Sequence, residues 1–236
     1  MRLCFNNLLI IPTTPMKKVA SCVKIKRGAL LALGTCVNAL LPVSQAMASD
    51  EALKNVTVFG SLATYAFAWL NRSTFECKQS FRFSLHSGAD NELSSLGISA
   101  SLKACDSGLR FEPIPGTQFR ILPTAAASNW KSSSGANQNG LFEATFTPRA
   151  QFMVPLQGMK LDATFGIGVS YLTETSIGSR EKSTAFQFSD ELSLGVSDNT
   201  ETFRLAWQYR HISNLGIKNP NNPVDFRGVT LTIQMR

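Results

Sequence analysis

A histidine, a serine and an aspartate near the end of the chain have the types and spacing of a catalytic triad. His211 and Ser213 are two residues apart, so in a β-strand their side chains project from the same face. A serine hydroxyl becomes an effective nucleophile when an imidazole accepts its proton, and a carboxylate that orients the imidazole improves that base. Asp225 follows a turn at Asn219-Pro220, from which a hairpin could return it to His211. These residues predict a hydrolase.

The strand that carries this pair has one apolar and one mostly polar face. Its odd positions are Phe203, Leu205, Trp207 and Tyr209, and its even positions are Arg204, Ala206, Gln208 and Arg210. His211 and Ser213 continue the apolar face, which a soluble protein would bury in its core. In a barrel whose exterior contacts lipid, the same face would place the pair at the membrane surface. Trp207 and Tyr209 are interpreted as a lipid-packing or interfacial aromatic surface.

The first 48 residues have the features of a secretory signal peptide. A basic region between Lys17 and Arg27 precedes the mostly apolar run 28–41, and Ala46-Met47-Ala48 supplies a cleavage site before Ser49. The sequence leaves open whether translation starts at Met1 or Met16. The apolar run is shorter than the roughly 20 residues that a membrane helix needs. We therefore expect export, with residues 49–236 forming the mature domain.

Removal of this segment changes the interpretation of charge and cysteine content. Residues 49–236 retain 17 basic and 16 acidic residues, so the basic composition of the whole chain does not indicate a nucleic-acid partner. Two of the five cysteines remain, Cys77 and Cys105, and an exported compartment permits a disulfide between them. A regular strand register sends these two side chains to opposite faces, so a bond requires a β-bulge or a loop.

Period-two alternation of apolar residues recurs along the mature segment and predicts about eight strands. Turns are expected at Gly158, Gly178, 198–199 and 219–220, and a long exposed loop at 128–140. No helical stripe longer than the signal is found, and the alternation at Val56 and Val58 is assigned to a strand. The apolar positions are Val56, Val58, Phe81, Phe83, Leu85, Leu96, Ile98, Ala100, Leu102, Phe119, Ile121, Phe142, Ala144, Phe146, Leu161, Ala163, Phe165, Ile167, Val169, Tyr171, Phe186, Phe188, Leu192, Leu194, Val196, 203–209, Val229, Leu231, Ile233 and Met235.

The most economical fold for this pattern is an all-β, eight-stranded antiparallel transmembrane β-barrel. The strands of a soluble lipid-binding β-barrel also alternate, with the apolar face turned inward. The non-apolar face here is rich in small and hydroxylic residues and poor in charge, as expected of a packed polar lumen. This composition favours the membrane barrel over the soluble alternative.

Residues from about Leu161 to Met235 resemble the PagL family of outer-membrane lipid A 3-O-deacylases. The segment His211-Ile-Ser-Asn-Leu-Gly-Ile-Lys-Asn-Pro-Asn221 and the upstream Phe186-Gln-Phe-Ser-Asp190 carry the resemblance. A motif of about a dozen positions is far more specific than an isolated His-x-Ser. The resemblance implies an outer-membrane barrel that hydrolyses the ester of the primary acyl chain at position 3 of lipid A.

The resemblance also implies roles for individual residues. His211 matches the family's general base and Ser213 its nucleophile, whereas Asp225 stands where the family usually has Glu. Asn221 and the backbone N–H groups near Leu215 and Gly216 are the candidate oxyanion hole. The implied partners are lipopolysaccharide and outer-membrane lipids, without nucleic acid, and homodimer formation is left open. No metal or cofactor is expected, because the sequence has no Cys/His cluster and no glycine-rich phosphate loop.

Two other functions remain open. In a non-catalytic outer-membrane barrel, His211 and Ser213 would be dispensable, and in a soluble periplasmic lipid-binding barrel the Trp207 face would line a cavity. The only other histidine, His86, lies in the polar phase of its strand beside Ser87 and is interpreted as structural or solvent-exposed.

Overall fold

The computed structural model describes residues 2–4, 22–24, 50–109, 115–133 and 140–235. The chain divides into two compact units, Met1–Ala46 and Met47–Arg236. In the first unit, β1 (Arg2–Cys4) pairs antiparallel with β2 (Cys22–Lys24). The rest of the predicted signal peptide lies outside the described residues, so the signal peptide and its cleavage site stay predictions.

The second unit is a closed barrel of eight antiparallel strands. Each strand pairs with the next barrel strand along the chain, with a small hairpin inserted between the fifth and the sixth, and the last strand pairs with the first to close the barrel. This confirms the predicted eight-stranded antiparallel barrel. The elements are α1 (Asp50–Leu70), a 3-10 turn (Arg72–Thr74), β3 (Phe75–Ala89), β4 (Leu93–Ser107), β5 (Gln118–Ser132), β6 (Leu141–Leu156), β7 (Met159–Leu172), the hairpin β8 (Ser176–Ile177) and β9 (Arg180–Glu181), β10 (Phe186–Asp198), β11 (Phe203–Ser213) and β12 (Val224–Met235).

The alternation along the strands places apolar side chains outside and polar side chains inside. Phe83, Leu85 and Ile98 are exposed on the exterior, whereas Ser84 and Ser99 are buried in the lumen. An apolar exterior around a packed polar lumen is the arrangement of a membrane barrel. It is the reverse of the arrangement that a soluble lipid-binding barrel requires.

Ion pairs fill the lumen. The carboxylate of Glu143 is fully buried and accepts hydrogen bonds from Arg210 at 2.8 Å, Trp130 Nε1 at 2.9 Å and Ser170 Oγ at 2.7 Å. A second pair joins Arg149 to Glu191 at 2.6 Å. Each of these four charges therefore has the partner that its removal from water requires.

The two ends of the barrel differ in their connections. At one end lie the segments 90–92, 173–185 and 214–223; at the opposite end lie 157–158 and 199–202. Contacts such as Arg180–Asp90 join two of the connections at the first end. We call these the site end and the opposite end, because the predicted triad lies at the first.

The helix α1 was not predicted, and the assignment of Val56 and Val58 to a strand was wrong. Its buried side chains are Leu53, Thr57, Ser61 and Thr64, which recur at helical spacing, whereas Val56 and other apolar residues of the helix are exposed. The face against the barrel is thus mainly small and hydroxylic. No amphipathic stripe of the usual kind therefore marks this helix in the sequence. Among the described helices, none is both long and apolar enough to cross a bilayer.

The hydroxyl of Tyr65 fixes α1 to the barrel at an interruption of the sheet. Pro148 of β6 has no backbone N–H, and the β6–β7 pairing skips the positions between Phe146–Val169 and Arg149–Gly166. The Ile167 N–H donates to Tyr65 Oη at 2.8 Å, and the Tyr65 hydroxyl donates to the Pro148 carbonyl. The helix thereby satisfies two backbone groups that the interrupted ladder leaves without partners.

Cys77 and Cys105 form a disulfide bond, through the kind of irregularity that the sequence requires. The β3–β4 register shifts between Gln79 and Arg82, so the two cysteines become direct cross-strand partners. The predicted loop at 128–140 was partly wrong, because β5 continues to Ser132. The strand thus extends into the Ser- and Asn-rich sequence that suggested a loop, and it buries the Trp130 side chain fully in the lumen.

Candidate active site

The structure brings His211, Ser213 and Asp225 together on the exterior face of the barrel at the site end. His211 Nε2 lies 3.1 Å from Ser213 Oγ, and His211 Nδ1 lies 2.8 Å from Asp225 Oδ1. The imidazole thus contacts the serine through one nitrogen and the carboxylate through the other. This is the connectivity that serine activation by an oriented base requires.

Strand register explains how a carboxylate as short as aspartate reaches the histidine. His211 of β11 and Asp225 of β12 are direct cross-strand partners, so their side chains leave neighbouring positions of the same face. His211 and Ser213 are buried, whereas 26% of the Asp225 side chain is exposed. No rearrangement of the strands is needed for the contact.

The turn after Ser213 places one of the predicted oxyanion donors at the nucleophile. Leu215 has φ 57° and Gly216 has φ 74°, so both occupy the left-handed region. This conformation costs a leucine on the order of 1–2 kcal/mol, which makes it informative at a candidate site. The Leu215 N–H donates to Ser213 Oγ at 3.4 Å, whereas the Gly216 N–H donates to Asn214 Oδ1 at 2.9 Å.

Asn214 and Asn221 organise the β11–β12 loop. The Asn214 side chain donates to the Lys218 carbonyl at 2.6 Å and to Ser183 Oγ at 2.9 Å. Asn221 Oδ1 accepts a hydrogen bond from the Asn214 N–H at 3.1 Å, across a loop that includes a cis Asn219-Pro220 bond. The predicted oxyanion residue Asn221 therefore supports the residue that follows the serine.

A buried lysine from the preceding loop joins both ends of the β11–β12 connection. Lys182 Nζ donates to the Asn222 carbonyl at 2.8 Å and to the Ile212 carbonyl at 3.3 Å. The pKa of Lys182 is lowered to about 8, mainly by burial and secondly by the charge of Arg180, against the opposing effect of the carboxylates Glu143 and Asp225. Nothing in the local sequence around Lys182 indicated this role, because the contact depends on two loops that meet only in the folded barrel.

Two further residues border the triad. Asp190 of β10 is the cross-strand partner of His211 on the side away from Asp225, so the histidine lies between two strands that each present a carboxylate. The Tyr209 hydroxyl donates to Asp225 Oδ1 at 2.5 Å, although Tyr209 was interpreted only as part of an aromatic surface. The period-two pattern placed Tyr209 on the correct face but carried no information about its partner.

His86 lies away from the triad. Its side chain is buried in the lumen, and His86 Nε2 lies 3.0 Å from Ser128 Oγ. Of its two predicted environments, the structural one is correct and the solvent-exposed one is wrong. Within the described ranges, no group of three His, Cys, Asp or Glu residues is arranged to hold a metal ion.

Both the sequence and the fold of this chain match known proteins. The family model described as lipid A 3-O-deacylase (PagL) matches residues 94–234, which is more than half of the chain. The lipid A deacylase PagL of Bordetella bronchiseptica (strain ATCC BAA-588 / NCTC 13252 / RB50) is 30% identical over 114 residues, which cover 48% of this chain and 62% of that protein. The chain thus spans less than two thirds of that relative's length.

The fold has a match among solved structures. A structure described as the crystal structure of the outer membrane enzyme PagL superposes with a TM-score of 0.53 at 20% sequence identity. The superposition covers 65% of this chain and 99% of the solved one. At this identity the match supports the barrel fold alone.

Proposed function

Since the chain belongs to the lipid A 3-O-deacylase (PagL) family, we propose that it hydrolyses the ester-linked acyl chain at position 3 of lipid A in the outer membrane. The observation that carries this proposal is the contact chain Ser213–His211–Asp225 on the barrel exterior. A lipid ester is the substrate class that an exterior site on a membrane barrel can reach directly.

The proposed reaction begins with general-base catalysis. Ser213 Oγ attacks the ester carbonyl carbon while His211 Nε2 accepts the hydroxyl proton, and Asp225 holds the imidazole through Nδ1. The carbonyl oxygen becomes an oxyanion, for which the Leu215 N–H and the side-chain amide of Asn221 are the proposed donors. Gly216, the remaining member of the predicted oxyanion set, contributes through the turn that it forms with Leu215.

Collapse of the tetrahedral intermediate breaks the bond between the carbonyl carbon and the sugar oxygen. The leaving oxygen takes the proton from His211, which releases the 3-hydroxyl of the sugar and leaves the acyl group on Ser213. Water then attacks the acyl-enzyme with His211 as base and releases a free 3-hydroxy fatty acid. The serine and the histidine return to their starting protonation states.

The surroundings of the serine support a lipid substrate. Phe186 of β10 is exposed on the exterior face, and Leu215 and Ile217 of the adjoining loop are exposed as well. These apolar groups border the same end of the barrel as Ser213, where an acyl chain would lie. The polar groups of the triad would then meet the ester at the boundary between acyl chains and headgroups.

The deciding experiment compares the native protein with a Ser213→Ala variant on purified lipid A in detergent, with products weighed by mass spectrometry. We expect the native protein to remove one 3-hydroxyacyl chain, and Ser213→Ala to lose about 10³-fold or more in rate. Ser87→Ala, which changes another exterior serine, is the matched control and should retain the native rate. Absence of product with the native, folded barrel would favour the non-catalytic alternative.

A further inference from the structure

The hydroxyl of Tyr209 shares a carboxylate oxygen with the candidate general base. Tyr209 Oη lies 2.5 Å from Asp225 Oδ1, and the same Oδ1 lies 2.8 Å from His211 Nδ1. Tyr209 and Asp225 are diagonal neighbours across the β11–β12 pair, a separation that a long aromatic side chain can bridge. One oxygen of the acid therefore accepts two hydrogen bonds from the same strand.

Packing restricts the Tyr209 side chain to this contact with Asp225. The Tyr209 side chain is fully buried and belongs to an apolar cluster with Leu53, Leu192 and Trp207. Its second acceptor, the Asp50 carbonyl, is 3.4 Å away, so the single hydroxyl proton is directed to the nearer carboxylate oxygen. Packing in this cluster holds the Tyr209 ring in place, and the position of the ring directs the hydroxyl toward Asp225.

Positive charge from α1 also acts on the Asp225 carboxylate. Arg227, which is the cross-strand partner of Tyr209, forms an ion pair with Asp50, and Lys54 acts electrostatically on Asp225. Rotation of the partly exposed Asp225 toward Lys54 would move its oxygen away from the imidazole. The Tyr209 hydrogen bond opposes that rotation, because it holds the oxygen that accepts from His211.

We propose that Tyr209 is a positioning residue that holds Asp225 on His211 and so activates Ser213. This inference rests on the proposed Ser213–His211–Asp225 mechanism. Tyr209 touches neither the serine nor the expected position of the ester, so it acts through the carboxylate alone. Loss of its hydroxyl should therefore lower kcat and leave KM unchanged.

The test measures the rate at which Ser213 reacts with a long-chain alkyl fluorophosphonate in detergent. Ser213 Oγ forms a bond to phosphorus, the P–F bond breaks, fluoride leaves, and the serine proton passes to His211. This reaction reports activation of the nucleophile and does not need lipid A. The compared proteins are the native chain, Tyr209→Phe, Asp225→Asn, the double variant and Tyr171→Phe, which removes the hydroxyl of an exposed tyrosine.

We expect Tyr209→Phe to slow labelling about 10-fold to 100-fold, in line with the loss of roughly 1.4–2.8 kcal/mol from a charge-assisted hydrogen bond. In the Asp225→Asn background the same change should have no further effect, because residues that act as one unit are not additive. Tyr171→Phe should label at the native rate. The kcat on lipid A should fall in parallel with the labelling rate.

Three results would overturn this role for Tyr209: native labelling by Tyr209→Phe, an equal loss in both backgrounds, or failure of the native protein to label at Ser213. An equal loss would mean that the phenol only supports packing beneath α1. Labelling of Ser213 without deacylation of lipid A would reject the proposed substrate and leave the positioning role intact.

Discussion

The acid of the candidate triad illustrates how backbone register can compensate for side-chain length. The resemblance to the family leads one to expect Glu at the position of Asp225, and the sequence alone leaves the reach of this shorter acid to His211 undecided. Direct cross-strand pairing places the shorter carboxylate 2.8 Å from the imidazole. The register thus supplies the proximity for which a longer side chain would otherwise be needed.

Substitution of Asp225 tests this assignment at the level of one residue. Asp225→Asn should lower kcat on lipid A by about 10²-fold to 10⁴-fold, because the amide favours the wrong imidazole tautomer. Asp225→Glu should retain most activity, since the family's usual acid can accept the same hydrogen bond. Steady-state kinetics with purified, folded variants would measure both effects. An Asp225→Asn variant with native kcat would remove Asp225 from the mechanism.

At the scale of elements, α1 completes the backbone hydrogen bonding of the barrel wall. Pro148 interrupts the β6–β7 ladder, and the Tyr65 hydroxyl fills the interruption from outside. An unpaired backbone N–H costs several kcal/mol in an apolar environment, so this contact matters more on an apolar exterior than it would in water. The helix and the proline are therefore best understood together.

Removal of the Tyr65 hydroxyl should weaken the barrel. We expect Tyr65→Phe to lower the free energy of unfolding by about 1–3 kcal/mol, because it leaves the Ile167 N–H without its partner. Urea titration of the protein in detergent micelles would measure the change. Tyr171→Phe serves as the control. Equal stability of the two variants would contradict a stabilising role for the hydrogen bonds of Tyr65 with Pro148 and Ile167.

At the scale of the whole molecule, a glutamate from one turn closes the opposite end of the lumen. Glu201 accepts ion pairs from Arg82 at 2.8 Å, Arg120 at 2.6 Å and Lys160 at 2.6 Å, which lie on β3, β5 and β7. Burial alone would raise the pKa of Glu201, but these cations outweigh it and lower the pKa to about 2. One carboxylate thereby joins strands on several sides of the barrel.

The charge of Glu201 should stabilise the barrel over a defined pH range. Because its folded pKa is depressed, this contribution is complete above the ordinary glutamate pKa and is lost as the pH falls through about 2. Glu201→Gln should lower the free energy of unfolding by about 3 kcal/mol at neutral pH and reduce the loss of stability at acid pH. Thermal unfolding at a series of pH values would measure both effects, with Glu174→Gln, a change at an exposed glutamate, as the control. A Glu201→Gln variant that matched the native pH profile would exclude this role.

Local patterns in the sequence determined the barrel and the face of the candidate site. Period-two alternation requires two chemically different faces, and the distribution of small and hydroxylic residues indicated which face lines the lumen. The His-x-Ser spacing placed His211 and Ser213 on one face because a strand repeats every two residues. These properties depend on neighbours within one strand, so the sequence suffices to predict them.

Contacts between distant segments could be decided only by the tertiary structure. The helix α1 was not predicted because the residues on its barrel-facing side are mainly small and hydroxylic, which reverses the usual amphipathic pattern. The bulge that joins Cys77 to Cys105, the approach of Lys182 to the β11–β12 loop and the Tyr209–Asp225 contact all depend on strand register. Register is set by the closure of the whole barrel, so no single strand carries the information that fixes it.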